Sequence, residues 1–257
     1  MKRFILTMLL CIVAGGNSWA WDNRGHATIA RIAERHLTPR AKANIEKYLN
    51  GQSIVYYASW MDFNRKDAPF DVTNDWHVDY WRDDQRKDAE GNPLPPISVS
   101  QIKRIVAEMS DFRTLSDSLV NVNIKYLVHL VGDMHCPVHI DFPTYRPVKV
   151  KYKGKSVKYH KLWDGIIVAD TRYGASPLSL AEELDRATEK EREELSSGTP
   201  DYWYAESVAF AGTAYSLLPE SKEVDREYIT KANDIINHIF PAAGYRLAKI
   251  LNTIFDK

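Results

Sequence analysis

The stretch His129-Leu-Val-Gly-Asp133-Met-His135-Cys-Pro-Val-His139 follows the apolar run 119–131 without a break and holds the densest group of metal-binding side-chain types in the sequence. His129 and Asp133 are four residues apart. On a helix this spacing puts both side chains on one face, with their Cβ atoms about 5–6 Å apart. The stretch therefore predicts a buried helix whose last turns can hold a metal ion.

A proline after this run determines where the last histidine of the stretch can lie. Pro137 has no backbone N–H and crowds the preceding turn, so it ends or bends the helix and lets His139 return toward the face of His129. The alternative is that these polar groups are hydrogen-bonded core residues. We expect such a role for His135, which helical phase turns away from that face. One aspartate and three histidines within eleven residues favour a metal site.

Three further segments carry side chains of the same types. His160 and Asp164 repeat the four-residue spacing if a helix begins there, and Asp62 and His77 each lie among apolar and aromatic neighbours. Each of these residues alone is equally typical of a protein core or a helix cap. Taken together with the stretch at 129–139, they indicate several ligand groups in one chain.

The first twenty residues have the pattern of a secretory signal peptide. Positive charge precedes an apolar stretch at 4–14, and small and polar residues at 15–20 suit peptidase cleavage. An apolar run of about 11 residues is too short to cross a bilayer, which needs roughly 20. We therefore predict export to the periplasm or secretion, and a mature form without a membrane span. Cleavage after residues 1–20 gives Trp21 a free α-amine, five residues before His26.

The composition of the mature chain restricts its partners and its means of stabilisation. The formal net charge is zero, and loss of Lys2 and Arg3 leaves about −2, so there is no general basic field for nucleic acid. Cys11 leaves with the signal peptide. Cys136 is then the only cysteine, which excludes an intramolecular disulfide. The length fits one large domain, predicted as 21–257.

Apolar residues at helical spacing predict a mainly α fold. Two helices are expected before residue 50, and others at 53–63, 99–115, 117–134, 179–195, 201–218 and 225–255. Pro241 should kink or divide the last of these helices. Glycine and prolines predict a surface loop at 83–96, and alternating apolar residues around Gly154 predict a short β-hairpin.

Imidazole nitrogens and carboxylate oxygens are typical ligands of zinc, and several such groups indicate more than one ion. Two zinc ions about 3.5–4 Å apart can share a water molecule, lower its pKa and stabilise both oxygens of a displacement at phosphorus. The ligands therefore favour phosphoester hydrolysis. The sequence contains no Gly-x-Ser-x-Gly, P-loop or His-Glu-x-x-His motif that would favour another reaction.

In their order along nearly the whole mature chain, these motifs resemble the zinc-dependent single-strand nuclease family of the S1/P1 type. The matching motifs are Trp21 with His26, Ala58-x-Trp-x-Asp62, Asp75-Trp-His77, His129-x-x-x-Asp133 with His139, and His160-x-x-x-Asp164. The resemblance implies a multi-helix fold of the phospholipase C and P1 nuclease type, with the hairpin near the active site. It also implies three Zn²⁺ ions and nine ligand residues.

The resemblance distributes these ligands among the three ions. The implied sets are, in turn, Asp62, His77, His129 and Asp133; His139, His160 and Asp164, around a partner ion with open water positions; and Trp21, His26 and a bridging Asp133. Trp21 would bind through its amine and carbonyl. An α-amine has a pKa near 7.7–8, so zinc must displace its proton and binding should weaken in acid.

The implied reaction is endonucleolytic hydrolysis of single-stranded DNA or RNA to 5′-phosphate products, with 3′-nucleotidase activity as a further option. Zinc-activated water attacks phosphorus, and the third ion stabilises the departing 3′ oxygen. Asp79 and Asp83 are candidates for orienting that water, although solvated surface carboxylates explain them equally well. The implied partner is a nucleic-acid strand or a nucleotide, and no stable protein partner is implied.

One segment departs from the family. Its members commonly carry Asp-x-Gly-Gly-Asn shortly after the position of His139, where residues 141–148 here are Asp-Phe-Pro-Thr-Tyr-Arg-Pro-Val. This change leaves the ligands intact. It alters the substrate cleft, and with it the basis for predicting base preference and turnover.

Beside that segment, residues 142–163 contain seven cations and no acid: Arg146, Lys149, Lys151, Lys153, Lys155, Lys158 and Lys161. One interpretation is a solvated strand edge that resists aggregation. The other is a surface that binds phosphates and stacks on bases. Its candidate contacts are Lys151, Lys153, Lys155, Tyr145, Tyr152 and Tyr159.

Two other functions stay open. Bacterial zinc phospholipases C share an amino-terminal tryptophan ligand and a three-metal arrangement, but they usually end the ligand set with glutamate. Asp164 and the basic hairpin favour nucleic acid instead. The second is a zinc-binding nuclease homologue with reduced catalysis.

Overall fold

The structure is a computed structural model that describes residues 21–80, 90–92, 94–141 and 148–257. It is mainly α, as predicted. The helices are α1 Asn23–Arg35, α2 Pro39–Tyr48, α3 Trp60–Asn64, α4 Ile97–Glu108, α5 Asp117–Met134, α6 Tyr159–Lys161, α7 Ile167–Thr171, α8 Pro177–Leu184, α9 Glu189–Leu195, α10 Pro200–Ser216 and α11 Arg226–Phe255. Short 3₁₀ turns lie at Ile54–Tyr57, Phe70–Trp76, Met109–Thr114 and Pro137–His139, and one π-helical turn lies at Leu162–Ile166.

Helix α5 lies at the centre of the fold and carries the stretch 129–139. It begins where Ser116 accepts a hydrogen bond from Leu119 N, and it is buried on all sides from Asn123 to Met134. A helix that is apolar around its whole circumference belongs in a core. His129 and Asp133 on this helix are therefore held at fixed positions inside the protein.

Helices α1 and α11 pack on each other and on α5, which places the amino terminus of the described chain beside the end of α5. Asp22 caps α1 by accepting from Arg24 N and Gly25 N, each over 3.1 Å. Helix α11 runs through Pro241 as one element, so the proline does not divide it, and a kink there stays a prediction. Tertiary packing of α11, which is buried from Ile239 to Ala248, overrides the local preference of proline.

Two small sheets complete the fold. The predicted hairpin is present as β3 Lys149–Tyr152 and β4 Lys155–Lys158, whose turn holds Lys153 and Gly154 at positive φ. Its far edge is joined by β5 Glu223–Val224, which was not predicted. The other sheet pairs β1 Asp79–Tyr80 with β2 Ile140–Asp141 in parallel.

Several predicted helices are shorter than expected. The segment 53–63 divides into a 3₁₀ turn and α3, the segment 99–115 divides into α4 and a second 3₁₀ turn, and 179–195 divides into α8 and α9. Thr188 explains the last division. Its hydroxyl accepts from Glu191 N while Glu191 accepts from Thr188 N, a capping box that starts a new helix.

The predicted loop at 83–96 lies mostly outside the described residues, as do the signal peptide and the segment 142–147. Within the described ranges, none of the helices combines the length and apolar character that crossing a bilayer requires.

Candidate metal centre

The last turns of α5 bring His129 and Asp133 together with residues from two earlier segments. His77 Nδ1 lies 3.0 Å from Asp133 Oδ2 and 3.1 Å from His129 Nε2, which is itself 3.2 Å from that oxygen. The carboxylate oxygens of Asp62 lie 3.8 Å from the same two nitrogens. All four side chains are buried. They are the residues that the resemblance implied for the first ion.

The orientation of His129 is fixed by a main-chain carbonyl. Its Nδ1 lies 2.8 Å from Ala58 O, so this nitrogen carries the proton and donates it there. Nε2 then faces the neighbouring carboxylates, and this fixed ring orientation is the arrangement that metal-bound histidines commonly show. Ala58 also precedes α3, and the same turn therefore positions both His129 and Asp62.

The amino-terminal segment reaches the other oxygen of Asp133. His26 Nε2 lies 3.2 Å from Asp133 Oδ1, and the His26 ring stacks on His129 with centroids 4.0 Å apart. Trp21 is fully buried, and its indole N–H donates to Gly132 O over 3.1 Å. Glycine at position 132 permits this approach, because a Cβ there would lie 2.8 Å from His26 Nδ1.

A third group forms where the hairpin joins the following helices. His160 Nε2 lies 3.2 Å from Asp164 Oδ2, and His139 Nε2 lies 3.7 Å from Asp164 Oδ1. Asp164 sits in the π-helical turn, a geometry that is frequent at functional sites. Asp22 N donates to Asp164 O over 2.7 Å and thereby joins this turn to the start of the described chain.

Asp133 lies between these groups, and its two oxygens face different ones. Oδ2 faces His77 and His129, whereas Oδ1 lies 3.2 Å from His26 and 3.6 Å from His139 Nδ1. A carboxylate in this position can bridge two cations.

One further observation indicates that these residues could hold a metal ion. Within the described residues, nine buried side-chain nitrogen and oxygen atoms of the predicted ligands lack a hydrogen-bond partner. Several lie close to one another but are not aligned to bond. An unpaired buried polar atom costs about 1–3 kcal/mol, so this concentration indicates a ligand that supplies the missing bonds. The atoms belong to His26, Asp62, His77, Asp133, His139, His160 and Asp164.

The electrostatics of the cluster also call for positive charge. Burial and the negative charges of Asp133 and Asp62 raise the pKa of Asp164 well above its ordinary value. Although burial opposes it, the charges of Asp133 and Asp62 raise the pKa of His129 to about 9. Without a metal ion, Asp164 and His129 thus favour their protonated forms. A divalent cation would take over that role.

Two neighbours of the site were missed by sequence reasoning. Cys136 is buried with its Sγ 3.8 Å from Asp164 Oδ1, and burial and Asp164 raise the pKa of its thiol well above the usual value. Arg65 is the second of these neighbours. Burial lowers the pKa of His160 to about 4, and the positive charges of Lys158 and Arg65 lower it further. Arg65 stands three residues after Asp62, and that spacing was the available signal.

His135 has the core role that was predicted. Its Nδ1 donates to Val131 O over 2.6 Å, and its Nε2 accepts from Arg246 over 2.8 Å. Both ring nitrogens are thus occupied. Burial and the charge of Arg246 lower the pKa of His135 to about 3.

Asp79 is buried and bound to the start of α4. Its Oδ1 accepts from Ile97 N and Ser98 N, and its Oδ2 accepts from the Ser98 hydroxyl. These bonds satisfy the first donors of the helix, which accounts for the burial of Asp79 by a structural role. It is therefore not the solvated surface carboxylate that sequence reasoning offered as an alternative. Asp83, the other candidate for orienting water, lies outside the described residues.

The hairpin supports part of the predicted basic surface. Its register puts Lys149, Lys151 and Lys158 on one exposed face. Lys155 is exposed as well, near the turn, whereas Lys153 is paired with Asp170.

The prediction that tyrosines of the hairpin stack on bases is wrong for two of the three. Tyr152 is buried and donates to Asp170, and Tyr159 is buried and donates to Ala214 O. Tyr145 and Arg146 lie outside the described residues.

A mainly helical fold that encloses converging histidines and aspartates defines a protein with several groups of buried side chains that could hold a metal ion. The S1/P1 nuclease family model matches residues 21–256, and the chain belongs to this family. It is accordingly a nuclease, a hydrolase of phosphodiester bonds.

Curated relatives agree with this membership. Nuclease S1 of Aspergillus oryzae is 24% identical over 99% of this chain and 98% of its own length. Endonuclease 1 of Arabidopsis thaliana is 26% identical over 99% of this chain and 93% of its own length. Nuclease P1 of Penicillium citrinum is 26% identical over 56% of this chain and 57% of its own length.

Proposed function

We propose that this protein is an exported, zinc-dependent endonuclease that hydrolyses single-stranded DNA or RNA to 5′-phosphate products and also has 3′-nucleotidase activity. The observation that carries the proposal is the convergence of nine unpaired, buried ligand atoms within a nuclease of this family. Residues 21–257 act as one domain after removal of the signal peptide.

The ligand sets follow the groups described above. Asp62, His77 and His129 surround Oδ2 of Asp133, and His26 lies against Oδ1. Trp21 would complete the second set through the α-amine that cleavage creates. Asp133 would therefore belong to both of these sets, which differs from the pairing implied by the resemblance, and His139, His160 and Asp164 would hold the third ion.

When bound, the zinc ions supply the Lewis acidity that activates water and stabilises negative charge on phosphate oxygens. The chain itself positions the ions and the strand. Ala58 O fixes the His129 ring, Gly132 admits His26, and the buried Trp21 holds the amino terminus in place. The positive charge of Arg65 acts on His160, which makes Arg65 a candidate contact for a phosphate.

The substrate surface continues onto exposed residues around the site. The face of Lys149, Lys151 and Lys158 supplies cations for the phosphates of a strand. Phe63 follows Asp62 directly and is 63% exposed, which makes it a candidate for stacking on a base.

The test is a substrate panel on zinc-loaded protein that begins at Trp21. We expect hydrolysis of single-stranded DNA or RNA, weaker hydrolysis of duplex DNA, and products with a 5′-phosphate. Asp133→Asn is the inactive control. Turnover of a phosphatidylcholine analogue alone would contradict the proposal in favour of a phospholipase. Three bound zinc ions without hydrolysis of any phosphodiester would indicate a homologue with reduced catalysis.

A further inference from the structure

Cys136 is a buried side chain that the ligand sets above do not use. It lies two residues after the end of α5 and directly before the 3₁₀ turn Pro137–His139, so the chain bend that returns His139 to the site carries the thiol with it. Its side chain is fully buried, and Sγ lies 3.8 Å from Asp164 Oδ1. The ligand atoms of Cys136, His139 and Asp164 all lie within 4.8 Å of one another.

A second observation at this position does not depend on the thiol. Among the described residues, both ring nitrogens of His139 are buried and unpaired, and so are Asp164 Oδ2 and His160 Nε2. His139 and Asp164 also belong to the group of ligand atoms that includes Cys136, so two residues close to the thiol carry three of these unpaired atoms. A thiol has only one weak proton to donate and cannot satisfy three such atoms.

We infer that Cys136 Sγ is a direct ligand of the zinc ion held by His139, His160 and Asp164. Zn–S bonds of about 2.3 Å and Zn–O bonds of about 2.0–2.2 Å in tetrahedral geometry separate sulfur from oxygen by about 3.5 Å. The 3.8 Å between Cys136 Sγ and Asp164 Oδ1 matches this spacing. The inference rests on the metal site of the proposed function and adds a ligand to it.

Coordination of zinc converts the Cys136 thiol into a thiolate. The thiol releases its proton to solvent, and the thiolate donates an electron pair to the ion. The result is a set of four protein ligands instead of three. A fourth ligand fills the position that a three-ligand zinc ion leaves open to water, and thiolate favours zinc or cobalt over magnesium and calcium. This ion is then the most closed of the three.

The competing explanation is that the thiol only donates a hydrogen bond to Asp164. Two variants separate the explanations. Cys136→Ser keeps a hydrogen-bond donor but loses the sulfur, and Cys136→Ala loses both. Since Cys136 is the only cysteine of the mature chain, a thiolate signal from a metal ion has a single source.

The experiment uses protein that begins at Trp21, loaded with Co²⁺ or Zn²⁺. We expect a sulfur-to-cobalt charge-transfer band in the near ultraviolet, and a sulfur scatterer at about 2.3 Å from zinc in X-ray absorption. Both Cys136→Ser and Cys136→Ala should lose these signals. Affinity for one ion should fall at least about tenfold in both variants. Circular dichroism of the chelated forms checks that each variant folds.

A fully loaded wild type without a sulfur signal overturns the inference, and so does a Cys136→Ser variant with wild-type metal affinity. The proposed function is tested separately by hydrolysis of single-stranded DNA. If hydrolysis is present without the sulfur signal, the inference alone fails. If the sulfur signal is present without hydrolysis, the proposed function alone fails. A wild type that binds no metal contradicts both.

Discussion

The two sides of the metal centre are built differently. On the α5 side, the side chains of His129 and Asp133 are fully buried on one regular helix, and Ala58 O fixes the ring. On the hairpin side, His160 is 28% exposed and Asp164 lies in a π-helical turn. The α5 side is part of the protein core, whereas the hairpin side reaches the surface at His160. Changes on the α5 side should therefore affect metal, fold and catalysis together, and changes toward the hairpin should affect progressively less.

The largest effect is expected for Asp133→Asn. It removes the carboxylate whose two oxygens face separate ligand groups, so two ions should bind weakly and kcat/KM should fall more than about a hundredfold. Metal analysis and hydrolysis of single-stranded DNA measure both effects. Asp201→Asn, on an exposed carboxylate of α10, is the matched control. Three tightly bound ions in Asp133→Asn would show that this residue does not bridge.

An extra methionine before Trp21 tests the amino-terminal ligand. It converts the α-amine into a peptide nitrogen, which cannot donate a lone pair to zinc. We expect one ion fewer per chain and at least about tenfold lower activity. Removal of the methionine with an aminopeptidase should restore both. Full metal content in the extended protein would contradict the assignment of Trp21.

Gly132→Ala tests the close approach of α1 to α5. The added Cβ would lie 2.8 Å from His26 Nδ1, so His26 must move, at a cost of about 1–3 kcal/mol in the free energy of unfolding. Weaker binding of one ion should accompany the loss. The double variant Gly132→Ala with His26→Ala should regain stability but not the ion. If stability is not regained, the clash lies elsewhere.

The chelated protein should show a pH dependence that zinc abolishes. The pKa of His129 is raised from 6.5 to about 9 by Asp133 and Asp62 against the effect of burial. The stabilising charge is then fully present below pH about 6.5 and is lost as the pH rises through about 9. The melting temperature of the chelated form should fall over this window. In zinc-loaded protein His129 is neutral, so the melting temperature of that form should not fall over this window. If the melting temperature falls equally in both forms, a group other than His129 causes the fall.

The smallest effect is expected on the hairpin. Replacing Lys149, Lys151 and Lys158 by glutamine should raise KM for a long strand and reduce the salt slope by about 0.7 for each phosphate that the lysines no longer neutralise. Hydrolysis of a short nucleotide substrate should be unchanged. A triple variant at the exposed Lys47, Lys190 and Lys231 is the control. An unaltered salt dependence would indicate that these three lysines form only a solvated strand edge and do not bind phosphates.

The two sides also differ in how well the sequence predicted them. Helix α5 was predicted with its observed bounds, because a long apolar run with a following proline leaves few alternatives. The hairpin was predicted from alternation, but its tyrosines were misjudged. Tyr152 lies on the same face as Val150, so the alternation itself indicated burial.

Other features depend on tertiary contacts that local patterns do not encode. The π-helical turn at Asp164, the capping role of Asp79 and the orientation of Cys136 toward Asp164 all arise where separate segments meet. The contact of His26 with Oδ1 of Asp133, rather than with Oδ2, also depends on such a meeting of segments.

The most direct test is a zinc titration of chelated protein that begins at Trp21, with bound zinc and hydrolysis of single-stranded DNA measured on the same samples. We expect three zinc ions per chain, no hydrolysis without them, and hydrolysis that rises as the ions bind. Hydrolysis that persists in fully chelated protein would contradict the account.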